Sequence, residues 1–348
     1  MTLLIVGGGK MGMSHLALCT PYVGKDNIAL CDTKFLTRRF FQYLGYKTFA
    51  SVDKAAARLG RIAGIVVATP TSSHAALGRW ALQRGIPVFI EKPLTLDVDA
   101  SQTLMRLVAE RDVQAQVGFV MRYVASFQRL RALVREGGFG RLQGYSASMR
   151  GNVMTATPAK DHWQGNFARG GGCLNEYGPH IIDLARFIFG PVTSVHGAKA
   201  TRIHSIDADD RTEIEWTHTT ADGDPVTGQL LIDWADTTKR KSVIEFFVDF
   251  ELARLRVDNS TIDVEWRIDP REGEAMSPKV NVDVSPPNVD FYLRGEEFSL
   301  ELEDFLANIG YGGCRTRHAL SVDTAARLDD GWEVDKLIDL IARKANLK

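Results

Sequence analysis

Short apolar runs alternate with amphipathic stretches through the first 120 residues, and few architectures accept that rhythm. Residues 3–6, 28–31, 63–68, 87–90 and 113–117 read as strands, and 34–44, 52–59, 74–84 and 99–111 carry the spacing of helices with one apolar face. Strands joined by helices of this length imply βαβ units and a parallel sheet covered on both faces. The unbroken apolarity of residues 62–68 fits a strand buried on both sides.

After about residue 120 the pattern changes. A helix at 127–135 ends at Gly137-Gly138, and a glycine-rich segment at 170–172 precedes a helix expected over 174–189. Residues 193–267 read as strands. Within them Ile244, Phe246, Val248 and Phe250 alternate with Glu245 and Asp249, the period of a sheet with one face on a core. Residues 268–290, rich in Pro, Asp, Glu and Ser, read as a loop, and helices near 298–309 and 331–345 close the chain.

The first strand runs straight into Gly7-Gly8-Gly9-Lys10-Met11-Gly12, a G-x-G-x-x-G set between strand and helix. In that setting Gly7 allows the tight turn, Gly9 lets a pyrophosphate approach the backbone, and Gly12 permits close helix–strand packing. The helix N-terminus offers N–H groups to the phosphates, with Lys10 and Met11 contributing backbone more than side chain. Asp32, 20 residues beyond Gly12, ends the second strand where a ribose-binding carboxylate belongs. A carboxylate there favours NAD, because it repels a 2′-phosphate; Lys34, Arg38 and Arg39 keep NADP open. The expected fold is α/β: an N-terminal Rossmann dinucleotide-binding domain over 1–120, then an α+β domain over 121–348 with a large, mostly antiparallel sheet.

Charge tests a competing function. Lys+Arg and Asp+Glu nearly cancel over the chain, 42 against 43, but residues 1–150 hold 20 against 9 and residues 151–348 hold 22 against 34. A basic half could bind nucleic acid. Here the excess is dispersed over Arg58, Arg61, Arg79, Arg84, Arg106 and Arg111, with no basic stripe interleaved with aromatics, so no nucleic-acid partner is expected. No apolar run approaches the ~20 residues a membrane span needs. Met1–Val6 lacks a basic flank and reads as a strand, not a leader. Cys19, Cys31, Cys173 and Cys314 show no metal spacing, which suits free thiols in a reducing cytoplasm and no metal site.

Two more motifs end strands at the edge where open α/β sheets bind ligands: Ala68-Thr69-Pro70-Thr71-Ser72-Ser73-His74 and Glu91-Lys92-Pro93. They mark Thr69, Pro70, His74, Glu91 and Lys92 as cofactor contacts, while at least one hydroxyl of Thr71, Ser72 and Ser73 is expected to cap the following helix. With G-F-V-M-R-Y at 118–123, G-G-G-C-L-N-E-Y-G-P-H-I-I-D at 170–183 and Asp330-Gly331, the ordered set resembles the Gfo/Idh/MocA family of nicotinamide-dependent oxidoreductases.

That resemblance implies the remaining roles. Lys92 lies beside the nicotinamide and contacts the reacting hydroxyl, on a Lys-Pro bond that can be cis. His180 is the general acid/base. Glu176 stands where the family usually has Asp; it orients His180, binds a substrate hydroxyl or folds away, and Asn175 can substitute as the hydroxyl ligand. On one continuous helix, Glu176, His180 and Asp183 would share a face, with Asp183 structural. Arg122 and Tyr123 match the family's G-F-x-x-R-[FY] near cofactor and substrate, and Arg150, Asn152, His162 and Trp163 fall in segments that line a sugar pocket.

The implied activity is hydride transfer between NAD(P) and a secondary alcohol or ketone of a sugar, sugar derivative or inositol. Two other readings are an NAD-dependent glycosidase working by transient oxidation and a ligand-sensing regulator without turnover. A sensor has no need of both Lys92 and His180. Val243 and Phe247, apolar on a nominally polar strand face, hint at burial against another subunit. The resemblance likewise implies a homodimer or homotetramer through the second sheet.

Overall fold

Parallel strands need long crossovers, and the chain supplies them from its first residue. The computed structural model describes residues 1–153, 163–167, 170–205, 207–239, 241–267, 295–311 and 324–348. In order come β1 (Thr2–Val6), α1 (Lys10–Val23), β2 (Ile28–Cys31), α2 (Phe35–Tyr43), β3 (Lys47–Phe49), α3 (Val52–Leu59), β4 (Ile62–Val67), α4 (His74–Gln83), β5 (Val88–Glu91), α5 (Val98–Arg111) and β6 (Ala115–Gly118). The strands form an all-parallel six-stranded sheet ordered β3-β2-β1-β4-β5-β6. Every residue of β1, β2, β4 and β5 is buried, as the apolar runs required. The order reverses between β1 and β4, which creates a crevice at their carboxyl ends.

The second part contains α6 (Ala125–Glu136), β7 (Leu142–Arg150), α7 (Cys173–Glu176), α8 (Gly178–Phe189), β8 (Val192–Thr201), β9 (Arg211–Thr219), β10 (Pro225–Asp233), β11 (Val243–Phe250), β12 (Ala253–Asp258) and β13 (Ile262–Trp266). These strands build a seven-stranded sheet ordered β13-β12-β11-β7-β10-β9-β8. Only the β7–β10 pairing is parallel. One face is a core: Ile244, Phe246, Val248 and Phe250 are buried on it, Phe127 of α6 meets Phe246, and Phe189 of α8 stacks on Tyr145 at 3.9 Å. Glu245 departs from the alternation. It lies on the outer face yet is buried, because Arg150 and Arg256 each donate to its carboxylate, at 3.0 and 2.8 Å.

Two helices complete the chain, α9 (Glu296–Asn308) and α10 (Leu328–Lys344). The chain divides into one compact unit of Met1–Val120 with Asp283–Asp335, and another of Met121–Val282 with Lys336–Lys348. Helix α9, counted with the second domain by the sequence reading, therefore packs with the first. Its apolar face explains why: Phe305 is buried edge-on to Phe89 of β5, and Gly64 of β4 leaves room for Phe305 and Ile309. Tyr22 of α1 also donates to Glu303.

Three further departures have local causes. The edge strand β3 was missed because it is three residues long and has no buried position. The helix expected over 174–189 is interrupted at Tyr177, where Pro179 has no N–H to continue the ladder. No side chain caps α4; Ser73 Oγ donates instead to the Pro70 carbonyl at 2.8 Å and is hydrogen-bonded to the Thr69 hydroxyl at 2.7 Å. The loop read at 268–290, together with His162 and Cys314, lies outside the described residues.

If α9 is part of the first unit's core, Phe305→Ala should lower stability in urea by about 3–5 kcal/mol, the usual cost of emptying a buried phenyl site. A loss below 1 kcal/mol would mean that the ring's burial contributes little.

Candidate functional site

The glycine turn of the first unit is shaped by two close approaches and one open space. Gly7 has φ +101°, and a Cβ on it would sit 2.5 Å from the Ala68 carbonyl oxygen. A Cβ on Gly12 would lie 1.7 Å from the Gly7 oxygen, so α1 can rest this close to the turn only without a side chain there. Around Gly9, a Cβ would meet nothing within 4 Å. Packing therefore does not explain a glycine at 9, whereas a ligand lying against the backbone does. Gly9 is also the N-cap of α1, with no side-chain cap and no acidic residue in the first turn, the arrangement that suits an anion. Lys10 is exposed and Met11 half-buried.

Asp32 closes the same corner. Its Oδ2 accepts the Gly8 N–H at 2.7 Å and its Oδ1 the Lys34 N–H at 2.7 Å, which fixes the carboxylate at the end of β2. Arg38 turns Nη1 to the carbonyls of Asp32 and Thr33, both at 2.8 Å, and Arg39 Nη1 reaches Gln42 at 3.5 Å.

The turn after β5 is held by buried polar groups. The Lys92–Pro93 peptide is cis, and Lys92 is half-buried. Glu91 Oε1 accepts the Nε2–H of His15 at 2.6 Å, and Oε2 accepts the Lys92 N–H at 3.2 Å. Burial alone would raise the Glu91 carboxyl; the His15 hydrogen bond and the charges of His15, Lys92 and His74 bring it below its ordinary value. His74 does not present its ring to a ligand. It is 1% exposed, with Nδ1 on the Pro93 and Leu94 carbonyls at 3.0 and 3.3 Å and Nε2 on the Thr69 carbonyl at 2.9 Å. It thereby ties the Thr69-Pro70 turn to the Lys92 turn. Burial keeps its imidazole below the ordinary histidine value.

Further along, Asp335 of α10 takes four donors on Oδ2: the Thr95 and Leu96 N–H groups and the hydroxyls of Thr95 and Ser101. Leu96 sits there at φ +61°, a conformation that side chains avoid and that two hydrogen-bonded neighbouring N–H groups help to hold. Gly331, from the Asp330-Gly331 pair, lets α10 approach: a Cβ on it would lie 2.9 Å from Leu94 and 3.0 Å from Val117.

In the second unit, Glu176 ends α7 and His180 lies in the first turn of α8, both half-buried. The break at Tyr177 separates them, so the argument from one continuous helix face does not carry over. Asn175 is 4% exposed and its Nδ2 donates to the Gly171 carbonyl at 2.8 Å, bracing the glycine segment. Arg122 and Asp183 form a buried two-bond pair, Nε to Oδ2 at 2.8 Å and Nη2 to Oδ1 at 2.5 Å. The guanidinium expected near substrate is thus engaged with the acid read as structural, and Tyr123 beside it is 3% exposed. Arg150 pairs with Glu245 and lies 3.7 Å from Asp236. Asn152 forms an isolated bridge with Ala235, and Trp163 opens a short turn whose indole lies outside the described residues.

Sequence reasoning missed His15, Asp335 and Asp209. The last is a buried acid whose Oδ2 accepts Cys173 Sγ–H, Leu174 N–H and Thr212 Oγ–H, so it anchors the start of α7. His15 and Asp335 are polar residues inside otherwise apolar helix faces, a signal visible as an interruption of periodicity, whereas Asp209 sits in a polar-rich run at 207–211 and carries no such signal. Among the described residues, no cluster of His, Cys, Asp or Glu could hold a metal, and no helix is long and apolar enough to cross a membrane.

Comparison with known proteins places this geometry. Residues 1–119 match the sequence model of the GFO/IDH/MocA oxidoreductase family with an NAD-binding Rossmann fold, and residues 127–256 match the GFO/IDH/MocA C-terminal domain. The rhizopine catabolism protein MocA of Rhizobium meliloti is 25% identical over 186 residues, 53% of this chain and 56% of that protein. The scyllo-inositol 2-dehydrogenase (NAD(+)) of Bacillus subtilis is 27% identical over 196 residues, 56% and 55% of the two chains. The chain thus spans about half the length of the curated relatives it matches. In fold it is similar to the WlbA dehydrogenase of Bordetella pertussis, solved with NADH and UDP-GlcNAcA, with TM-score 0.76 at 19% identity over 99% of this chain and 96% of that one.

The buried Asp335 carries a pH signature. Burial pushes its carboxyl up to about 6, against the hydrogen bonds from Ser101, Thr95 and Leu96. The folded chain keeps this proton to about pH 6, whereas the unfolded chain releases it near pH 4. The associated stability is full below about pH 4 and is lost as pH rises to about 6, at up to about 1.4 kcal/mol per pH unit. Asp335→Asn should flatten that slope in urea titrations between pH 4 and 6. It should also lower stability overall by about 1–3 kcal/mol, since Oδ1 has no partner among the described residues to receive an amide. An unchanged slope would show that another group titrates.

Proposed function

Because the chain belongs to the Gfo/Idh/MocA family of oxidoreductases, we propose that it is an NAD-dependent dehydrogenase or reductase. Its substrate in this reading is a secondary alcohol or ketone of a sugar, sugar derivative or inositol. The observation that carries the cofactor half is the open space at Gly9 over the uncapped start of α1, with the Asp32 carboxylate fixed beside it. These groups fit a dinucleotide: first-turn N–H groups for the pyrophosphate and a carboxylate for the ribose hydroxyls. Asp32 would repel a 2′-phosphate, and Arg38 is turned toward backbone carbonyls, so NAD is favoured over NADP.

The nicotinamide, when bound, supplies the hydride acceptor or donor. Lys92 donates a hydrogen bond to the reacting oxygen and stabilises alkoxide character as it develops. His180 takes the hydroxyl proton in the oxidative direction and returns it in the reductive one. Glu176 orients that imidazole or binds a neighbouring hydroxyl. The curated relatives named for inositol and xylose dehydrogenation support the substrate class.

Lys92→Ala should lower kcat by at least about 100-fold, the lower range for a positioned proton-handling group. NADH binding, followed by fluorescence, should stay within a few-fold of wild type. Retention of kcat would remove Lys92 from the chemistry. A panel of polyols and sugars read by NADH absorbance tests the reaction itself. Free sugar released with no net NADH would indicate the glycosidase, and ligand binding without turnover would indicate a sensor.

We also propose self-association through the outer face of the seven-stranded sheet. Val243 and Phe247 are half-buried there, Arg254 lies over the Phe247 ring at 5.2 Å, and ion pairs join Arg150, Glu245 and Arg256. Buried free thiols at Cys19, Cys31 and Cys173 suit a reducing compartment, the cytoplasm in this reading. Sedimentation at micromolar concentration should show a dimer or tetramer; monomer alone would overturn the proposal.

A further inference from the structure

The chemistry above leaves one buried ionisable pair without a task. His15 is the sixth residue of α1 and has no solvent exposure. Its Nε2–H donates to Glu91 Oε1 at 2.6 Å, its ring meets Phe89 edge-on at 5.5 Å, and its buried Nδ1 has no hydrogen-bond partner among the described residues. The second Glu91 oxygen accepts the Lys92 N–H at 3.2 Å, and Gly118 of β6 leaves room for it, since a Cβ there would come within 3.1 Å. One carboxylate therefore joins helix α1 to the backbone of Lys92.

Packing alone does not call for this arrangement. The neighbours Leu16, Ala17, Leu18 and Cys19 are all buried and apolar, and an apolar residue at 15 would fit the same helix face. Replacing a buried polar pair by well-packed apolar groups is often neutral or stabilising, and here one ring nitrogen also forgoes its hydrogen bond. What the pair adds is a directional link. The same helix that carries His15 begins at Gly9, over the open space assigned to the dinucleotide phosphates.

We propose that His15 is a positioning residue which, through Glu91, ties the Lys92 backbone to the dinucleotide-binding helix and so sets the geometry of the Lys92 side chain. The proposal rests on the role given to Lys92 above. Neither His15 nor Glu91 moves a proton to substrate in this scheme. Glu91 holds one N–H, and His15 holds Glu91.

The test uses the full chain with His15→Phe, which keeps a ring and removes the donor, His15→Gln, which restores an N–H donor, Glu91→Gln, and the His15→Phe/Glu91→Gln double variant. Amide hydrogen exchange in the free protein reads the clamp without reference to turnover. In His15→Phe, the peptide covering residues 88–96 should exchange at least tenfold faster, while peptides from β1 and β4 stay at wild-type rates. His15→Gln should recover part of that protection. On the leading substrate, kcat of His15→Phe should fall tenfold or more with the dissociation constant for NADH within threefold, and the double variant should be no worse than the poorer single one, as for groups acting in series.

Unchanged exchange at 88–96 would overturn the proposal. So would faster exchange with unchanged kcat, losses that simply add, or a fall in kcat matched by an equal loss of NADH binding. If His15→Phe fails to fold, Glu91→Gln is compared with wild type, and unchanged exchange at 88–96 in that variant overturns the proposal. A wild-type protein that turns over none of the panel would defeat the dehydrogenase reading instead, while the exchange data would still decide whether the clamp exists.

Discussion

The tightest constraint in the first unit is the contact between helix α1 and the turn that precedes it. A side-chain carbon on Gly12 would fall 1.7 Å from the Gly7 carbonyl oxygen, so the helix lies at a distance that only glycine allows. That distance has consequences in two directions. At the near end it leaves the first N–H groups of α1 at the carboxyl edge of β1, where the strand order reverses. One turn and a half further on, it brings the His15 ring against Phe89 and within hydrogen-bond reach of Glu91, at the end of β5. A helix standing further off would satisfy neither. The placing of the α1 N-terminus and the His15–Glu91 contact beside the Lys92 backbone therefore depend on the same missing methyl group.

The Lys92 turn is held by buried polar side chains, an expensive means of support. Glu91, His74 and Asp335 each have 8% exposure or less, and together they fix the backbone from Glu91 to Leu96. Apolar packing would be cheaper, but it is not directional and cannot hold individual carbonyl and amide groups in place. The left-handed Leu96 shows what the hydrogen bonds achieve, because that conformation costs about 1–3 kcal/mol for a residue with a side chain. The second unit uses the same device where Asp209 collects three donors at the start of α7.

Local periodicity was legible in the sequence, and pairing over distance was not. Apart from the short edge strand β3, the strands and helices of the first 120 residues follow from apolar spacing, and the glycine turn follows from its place between strand and helix. The face of β11 that packs inward was readable from alternation alone. Arg122 illustrates the limit. Its motif placed it near substrate, whereas its guanidinium is bonded to Asp183, 61 residues away, and no spacing rule connects the two. His74 is similar: its motif was recognised, but three carbonyls from two separate turns claim the ring. Helix α9 was read correctly as a helix and joined to the wrong unit, because an amphipathic face does not specify which core it covers.

The charge asymmetry needs the same distinction between residue content and placement. Residues 151–348 carry 34 acidic groups, which from the sequence alone suggests an acidic surface. Several of those acids are inside. Asp210 accepts the N–H groups of Ile203, His204 and Ser205 and the indole N–H of Trp234. Asp183 is bonded to Arg122 and Asp233 to Arg211, while Asp209 anchors α7. Such acids serve as acceptors for groups that burial would otherwise leave unpaired, and their charge is neutralised locally by arginines or spread over N–H dipoles. The first unit differs in one respect, since its uncapped α1 terminus and exposed Lys10 leave positive character at the surface edge. Two uses of charge thus stand side by side: positive character left open at the start of α1, and closed acid–donor contacts that hold backbone, at Asp209 and Asp210 in the second unit as at Glu91 and Asp335 in the first.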